Sequence, residues 1–230
     1  MSAHGGFPGK GDDMPDGSTD TREMNAVHDA FRAEFGALPG LVTSVADGDT
    51  ERAAIVGGHV MMMTMMLHSH HSSEDVLLWP VLEQRVPARA EFVHTMEGQH
   101  HRIGELIEAA QSQAGPWMGT ASAAAGSELA TTIAELDERI VEHLAIEEAE
   151  VLPLVAAHMS QDEFSAIGEH SRESLTQEQL AVGLGLILDD TSPELGEVLL
   201  GSMPPEARAG FEQFGMPQYV QYRARLVGDA

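Results

Sequence analysis

A pattern that occurs twice constrains this chain more than anything else in it. His70-His71-Ser72-Ser73-Glu74-Asp75 is followed by Leu78-Trp79-Pro80, and 73 residues further on His143-Leu144-Ala145-Ile146-Glu147-Glu148 is followed by Leu152-Pro153. Each copy reads His, three residues, Glu, a second acid, then Pro six residues after the Glu. On a helix, positions i and i+4 lie one above the other on a single face. Each copy therefore aims an imidazole and a carboxylate at one point, and two such helices face to face make a nest of four nitrogen and oxygen donors. With 12 His and 37 Asp plus Glu in 230 residues, random placement puts an acid four residues after a His about two times. The sequence does so after His70, His71, His101, His143 and His158. A single pair carries little weight. The shared Pro and the doubled acid carry more.

The rest of the chain reads as helices. Residues 1–17 are rich in Gly, Asp and Pro without periodic apolar positions, and read as a disordered tail with a solvated His4. Ser18, Thr19 or Asp20 can cap a first helix whose stripe is Met24, Val27, Phe31 and Phe35, with His28 on it. Pro39-Gly40 predicts a kink or an interruption. A second helix starts at Thr50, carries the Met61–Met66 run as core filling, and ends near Pro80 or Pro87. His59 shares a face with His70 but lies about 16 Å along the axis, so it reads as a hydrogen-bonded structural residue. A third helix is predicted over 88–114, broken by Gly115-Pro116-Trp117, and a fourth over 122–158 with Leu129, Ile133, Leu136, Ile140, Leu144 and Val151 as its seam.

These elements predict an all-α fold: an antiparallel up-down-up-down four-helix bundle over 18–158, with a C-terminal helical extension over 159–230 packed on it. Shorter helices are expected near 160–189, 193–201, 204–214 and 217–227. The two halves of the bundle echo each other. His28 to His70 spans 42 residues, as does His101 to His143, while His100 to His143 spans 43.

Composition narrows the chemistry. Cysteine is absent, which excludes a disulfide, a cluster on thiolates and a thiolate zinc site. A formal charge of −25 argues against nucleic acid or an anionic membrane as partner. No apolar run of about 18 residues and no secretory leader is seen, so the expected address is cytoplasmic. One set of inward candidates comes from each helix: His28; His70 and Glu74; His100 or His101; His143 and Glu147. Four imidazoles and two carboxylates exceed the needs of one tetrahedral zinc. They suit two ions about 3.5–4 Å apart, with carboxylates free to bridge and positions left open. Donors of nitrogen and oxygen without sulfur suit iron or manganese. The pair His71 and Asp75 is rotated by about 100° from His70 and Glu74, so His71 reads as a supporting or surface residue. Burying this set for structure alone is the competing account, and it is a costly one.

The words His…HHxxED…Leu-Trp-Pro, Met-Glu-x-Gln-His and EHLxxEE…Leu-Pro resemble the hemerythrin-like, His-His-Glu cation-binding family over about residues 20–158. Met24…Val27-His28-Asp29 and Leu77-Leu78-Trp79-Pro80 suggest its actinobacterial branch. The resemblance implies a non-heme diiron centre, oxo-, hydroxo- or carboxylate-bridged, with ligands His28, His70, Glu74, His100, His143 and Glu147. The family's oxygen carriers have a further His one turn after the third-helix ligand. This chain has Gly104 there, or Glu105 if His101 is the ligand, and Glu147 replaces their Asp, which argues against reversible oxygen carriage.

The expected function is binding of, or reaction with, dioxygen, nitric oxide or hydrogen peroxide. Peroxide disproportionation is its enzymatic version and a stoichiometric sensor its non-enzymatic one. Iron sensing or buffering without turnover is the alternative. A ferritin-like oxidase ranks below both: that class draws Glu-x-x-His from two helices, whereas Glu91-x-x-His94 and Glu97-x-x-His100 share one. The protein partner is unknown.

Overall fold

The computed structural model describes residues 18–228, and the predicted N-terminal tail lies outside them. The described residues are helical throughout, with no strand among them. Four long helices dominate: α1 (Arg22–Thr43), α2 (Thr50–Leu77), α4 (Ala90–Thr120) and α5 (Ala123–Ile146). The short α3 (Trp79–Arg85) links α2 to α4. In contact order the long helices close a ring: α1 on α5, α5 on α4, α4 on α2, α2 on α1.

Apolar side chains form two buried clusters. The larger one includes Phe31, Phe35, Leu67, Ile103, Ile140 and Leu144. The smaller one includes Met24, Leu78, Trp79, Met96 and Val151. Along α1 and α4 the chain passes from the smaller cluster to the larger, and along α2 and on from α5 it passes back. On every long helix the candidate donors fall at this crossing, so the site is a polar layer between two apolar ones.

Two predicted interruptions do not occur. Pro39 lies inside α1, which continues to Thr43 because Leu38 and Val42 on either side of it are buried in the larger cluster. Thr43 Oγ1 donates to the Pro39 carbonyl at 2.9 Å. Gly115-Pro116-Trp117 likewise leaves α4 intact to Thr120. Trp117 is buried there, and the glycines beside it make the room. A Cβ on Gly126 would approach Trp117 Nε1 at 3.0 Å, and one on Gly57 would meet Met118 Cγ at 2.3 Å. Burial of one indole is worth more than the single backbone bond that Pro116 removes.

After α5 the helix widens into a π-helical stretch, Glu147–Val151, before α6 (Leu152–His158). Pro153 opens α6 as Pro80 opens α3, so in both copies of the repeat the helix is reset just past the Glu-acid pair. The predicted helix over 160–189 is two: α7 (Gln161–Arg172) and α8 (Gln177–Asp189). Capping boxes, Ser160 with Glu163 and Thr176 with Gln179, begin each one. Ser69 Oγ donates to the Ser171 carbonyl at 2.8 Å and ties the last turn of α7 to α2.

The chain ends in α9 (Pro193–Ser202), α10 (Pro205–Gly210), a second π-helical stretch (Phe211–Gly215) and α11 (Met216–Val227). There Tyr222 Oη meets His59 Nδ1 at 2.6 Å, and His59 Nε2 meets Glu34 Oε2 at 2.8 Å. Arg223 Nη1 lies 2.8 Å from Glu34 Oε1. His59 is thus the hydrogen-bonded structural residue expected, and it fastens α11 to α1 and α2.

Candidate metal centre

Helical phase brings the six predicted residues together. His28, His70, Glu74, His100, His143 and Glu147 are all buried, the two carboxylates completely. His101 is instead 80% exposed at its side chain and pairs with Glu105 outside. Of the adjacent pair, His100 is the one turned to the interior. Of the two readings of His71, supporting or surface, the second is removed: His71 is buried, with its ring stacked on His100 at 4.1 Å between centroids and 12° between planes. A residue at i+1 turns about 100° around a helix. Because α2 touches both α1 and α4, that turn carries His71 from one neighbour toward the other rather than into solvent.

The donors sort into two groups, each with ligand atoms within 4.8 Å of one another. One is His28, His70, Glu74 and Glu147, and the other is His71, Glu74, His100 and His143. Glu74 belongs to both. Its Oε1 lies 3.3 Å from His70 Nε2 and its Oε2 lies 3.5 Å from His100 Nε2. Glu147 Oε2 lies 3.5 Å from the Nε2 atoms of both His28 and His143.

The second acid of each copy has a separate task, which the sequence reading did not assign. Asp75 on α2 accepts from His100 Nδ1 on α4 at 2.6 Å, and from Trp79 Nε1 at 2.9 Å. Glu148, in the π-helical stretch, accepts from His28 Nδ1 on α1 at 3.0 Å, and Arg32 holds it from the other side at 2.8 Å. Gln99 Oε1 accepts from His143 Nδ1 at 2.9 Å. So each copy places one carboxylate in the site and uses the next to orient a histidine of a neighbouring helix. The doubled acid and the Gln of Met-Glu-x-Gln-His were the visible signals. The partner helix was not.

These bonds assign tautomers. With Nδ1 protonated, the Nε2 lone pairs of His28, His100 and His143 face inward. His100 Nε2 and His143 Nε2 then oppose each other at 3.1 Å, lone pair to lone pair, a contact that needs a cation or a proton beside it. Buried atoms with no hydrogen-bond partner include the Nε2 of His28, His70 and His71 and both oxygens of Glu74 and of Glu147. Buried polar groups are ordinarily paired. Seven unpaired atoms at one point mark a place that fits a cation.

Burial pushes the imidazoles of His70, His71 and His143 well below their ordinary value, and neighbouring imidazoles add to this. They are neutral at pH 7, the form that ligates a metal. Burial, with repulsion from Glu147 and Asp75, pushes Glu74 well above the usual carboxylate range. A cation there would release its proton. Burial also acts upward on Glu148, but hydrogen bonds and charge from His28 and Arg32 outweigh it and hold that carboxyl at about 2. Glu148 is therefore a carboxylate at neutral pH, the form that accepts from His28 Nδ1.

Asp75→Ala and Glu148→Ala should each weaken cation binding by about 10- to 100-fold, since outer partners set ring orientation and basicity. Competition against a chromogenic chelator reads this, with helical circular dichroism unchanged. Unaltered affinity in both would remove the orienting role.

Among the described residues no helix is long and apolar enough to cross a membrane. No match was found among curated proteins or among solved structures. Residues 19–170, from just ahead of α1 into α7, match the hemerythrin HHE cation-binding domain. With buried His and Glu groups able to hold metal at the heart of that span, the chain belongs to the hemerythrin HHE cation-binding domain family.

Proposed function

We propose that this protein holds two iron ions in the polar layer of an antiparallel, up-down-up-down bundle and there binds or reacts with a small oxidant: dioxygen, nitric oxide or hydrogen peroxide. One observation carries the reading. The two oxygens of Glu74 approach histidines of two different donor groups, as a carboxylate shared by two cations must. Donors of imidazole and carboxylate without sulfur favour iron or manganese over zinc. When bound, such a pair supplies one-electron chemistry and open coordination positions.

The chain's own residues do the rest. His28, His70, Glu74, His100, His143 and Glu147 are the ligands, and Asp75, Gln99 and Glu148 keep the Nδ1 protons in place. Apolar clusters on both sides exclude bulk water. Phe31, with its ring centroid 5.4 Å from that of His70, gives the site an apolar wall suited to a small, weakly charged ligand.

Anaerobic loading with iron(II), elemental analysis, and optical titration with each of the three small molecules test this. Two irons per chain and a stoichiometric spectral change with one of them are expected. Gas evolution from peroxide above that of free iron would mark turnover. Fewer than two irons, or iron-loaded protein inert to all three, overturns the reading.

A further inference from the structure

His71 is absent from the six ligands proposed above, yet nothing in a structural role accounts for it. It is buried, its Nε2 has no hydrogen-bond partner, and it shares a donor group with Glu74, His100 and His143. Its ring centroid lies 4.1 Å from that of His100, 5.0 Å from that of His143 and 5.5 Å from that of His70. A histidine kept only for packing would be replaced at little cost by an apolar ring, since a buried ring nitrogen without a partner loses its solvation and recovers nothing. Ligands at about 2.1 Å on opposite sides of one ion stand about 4.2 Å apart, close to the spread of this group.

We propose that His71 is a seventh donor, serving the position formed with Glu74, His100 and His143, so that the two cation positions are unequal. This rests on the two-cation reading above. Three imidazoles then serve one position and two serve the other, where His28 and His70 sit with both carboxylates close by. Adjacent histidines His70 and His71 thereby divide α2 between the two ions, one ring each, about 100° apart around the helix.

Iron(II) binding under anaerobic conditions to the full chain tests this, using wild type, His71→Ala and His71→Phe, with and without added imidazole. The phenyl variant keeps bulk and stacking but has no nitrogen. The expected result is two ions in wild type, and in both variants one ion retained and the other weakened by about 100-fold or more. Imidazole should restore the second ion in His71→Ala, where it has space, and not in His71→Phe. If His71→Phe binds both ions as wild type does, or if imidazole restores nothing in His71→Ala, the inference is overturned while the two-cation reading stands. If wild type itself binds no pair of ions, that reading fails and the inference falls with it. Circular dichroism of each variant separates loss of a donor from loss of the fold.

Discussion

Glu74→Gln should abolish binding of both cations while making the cation-free protein more stable. Glu74 is the residue common to the two donor groups, so its loss is felt at both. His28→Ala, by contrast, should weaken one position and spare the other. The opposite effect on the empty protein follows from burial. Glu74 is fully buried, both its oxygens lack partners, and its carboxyl is pushed well above its ordinary value. An acid whose pKa is raised by folding binds more protons folded than unfolded, so stability falls as pH rises from the unfolded value toward the folded one. The neutral amide removes that slope. Cation-free Glu74→Gln should gain about 1–3 kcal/mol at pH 7, the order of cost of a buried unsatisfied group. Denaturant melts at pH 5 and pH 8 read both effects. If the change in stability from pH 5 to pH 8 is the same in cation-free wild type and in Glu74→Gln, Glu74 does not carry the burial cost assigned to it; the buried histidines, which act in the opposite sense over this range, are common to both.

Stripping the metal should be the larger perturbation of wild type. A ligand that binds only the folded state adds about 4 kcal/mol when free ligand is 1,000 times its Kd. At about 2–4 °C per kcal/mol for a chain of this size, each tightly held ion is worth about 8–16 °C in Tm. A chelator should therefore lower the melting temperature of loaded wild type by at least about 10 °C, and should leave Glu74→Gln unmoved. Equal melting temperatures with and without chelator in wild type would mean that the polar layer is held together without a cation.

Metal uptake should weaken as pH falls, because a cation favours the carboxylate form of Glu74, which burial disfavours, and needs the lone pairs of neutral imidazoles. The two acids of each repeat behave oppositely. Glu147 and Glu74 have no solvent to lean on and need the cation. Asp75 and Glu148 are half-exposed or only partly buried, and reach across to a neighbouring helix.

Much was legible because helical phase is local. The His-x-x-x-Glu spacing near the end of α2, repeated where α5 passes into the π-helical stretch, placed imidazole and carboxylate on one face whatever the rest of the chain did. The same phase argument kept His59 away from the cluster, and the structure puts it in a hydrogen-bonded pair with Glu34. Register on the third helix was not local. His100 and His101 are adjacent, and only packing of α4 against α2 and α5 turns the first inward and the second out. For the same reason His71 was left between a supporting and a surface position: its exposure depends on which helices flank α2, not on its own sequence neighbours. Pro39 was expected to kink or interrupt α1 and Pro116 to break α4; both helices run on past them, because burial of Leu38, Val42 and Trp117 overrides the local chemistry.

By itself the sequence determined that the fold is helical and that imidazole–carboxylate pairs recur on matching faces, because both follow from spacing along one chain. Tertiary structure decided which adjacent histidine faces the interior, that Asp75 and Glu148 each serve a ring on another helix, and that Glu74 lies between two donor groups. Those are relations between helices. They are set by how apolar surfaces above and below the polar layer pack, and side-chain spacing within a single helix carries no record of its neighbours.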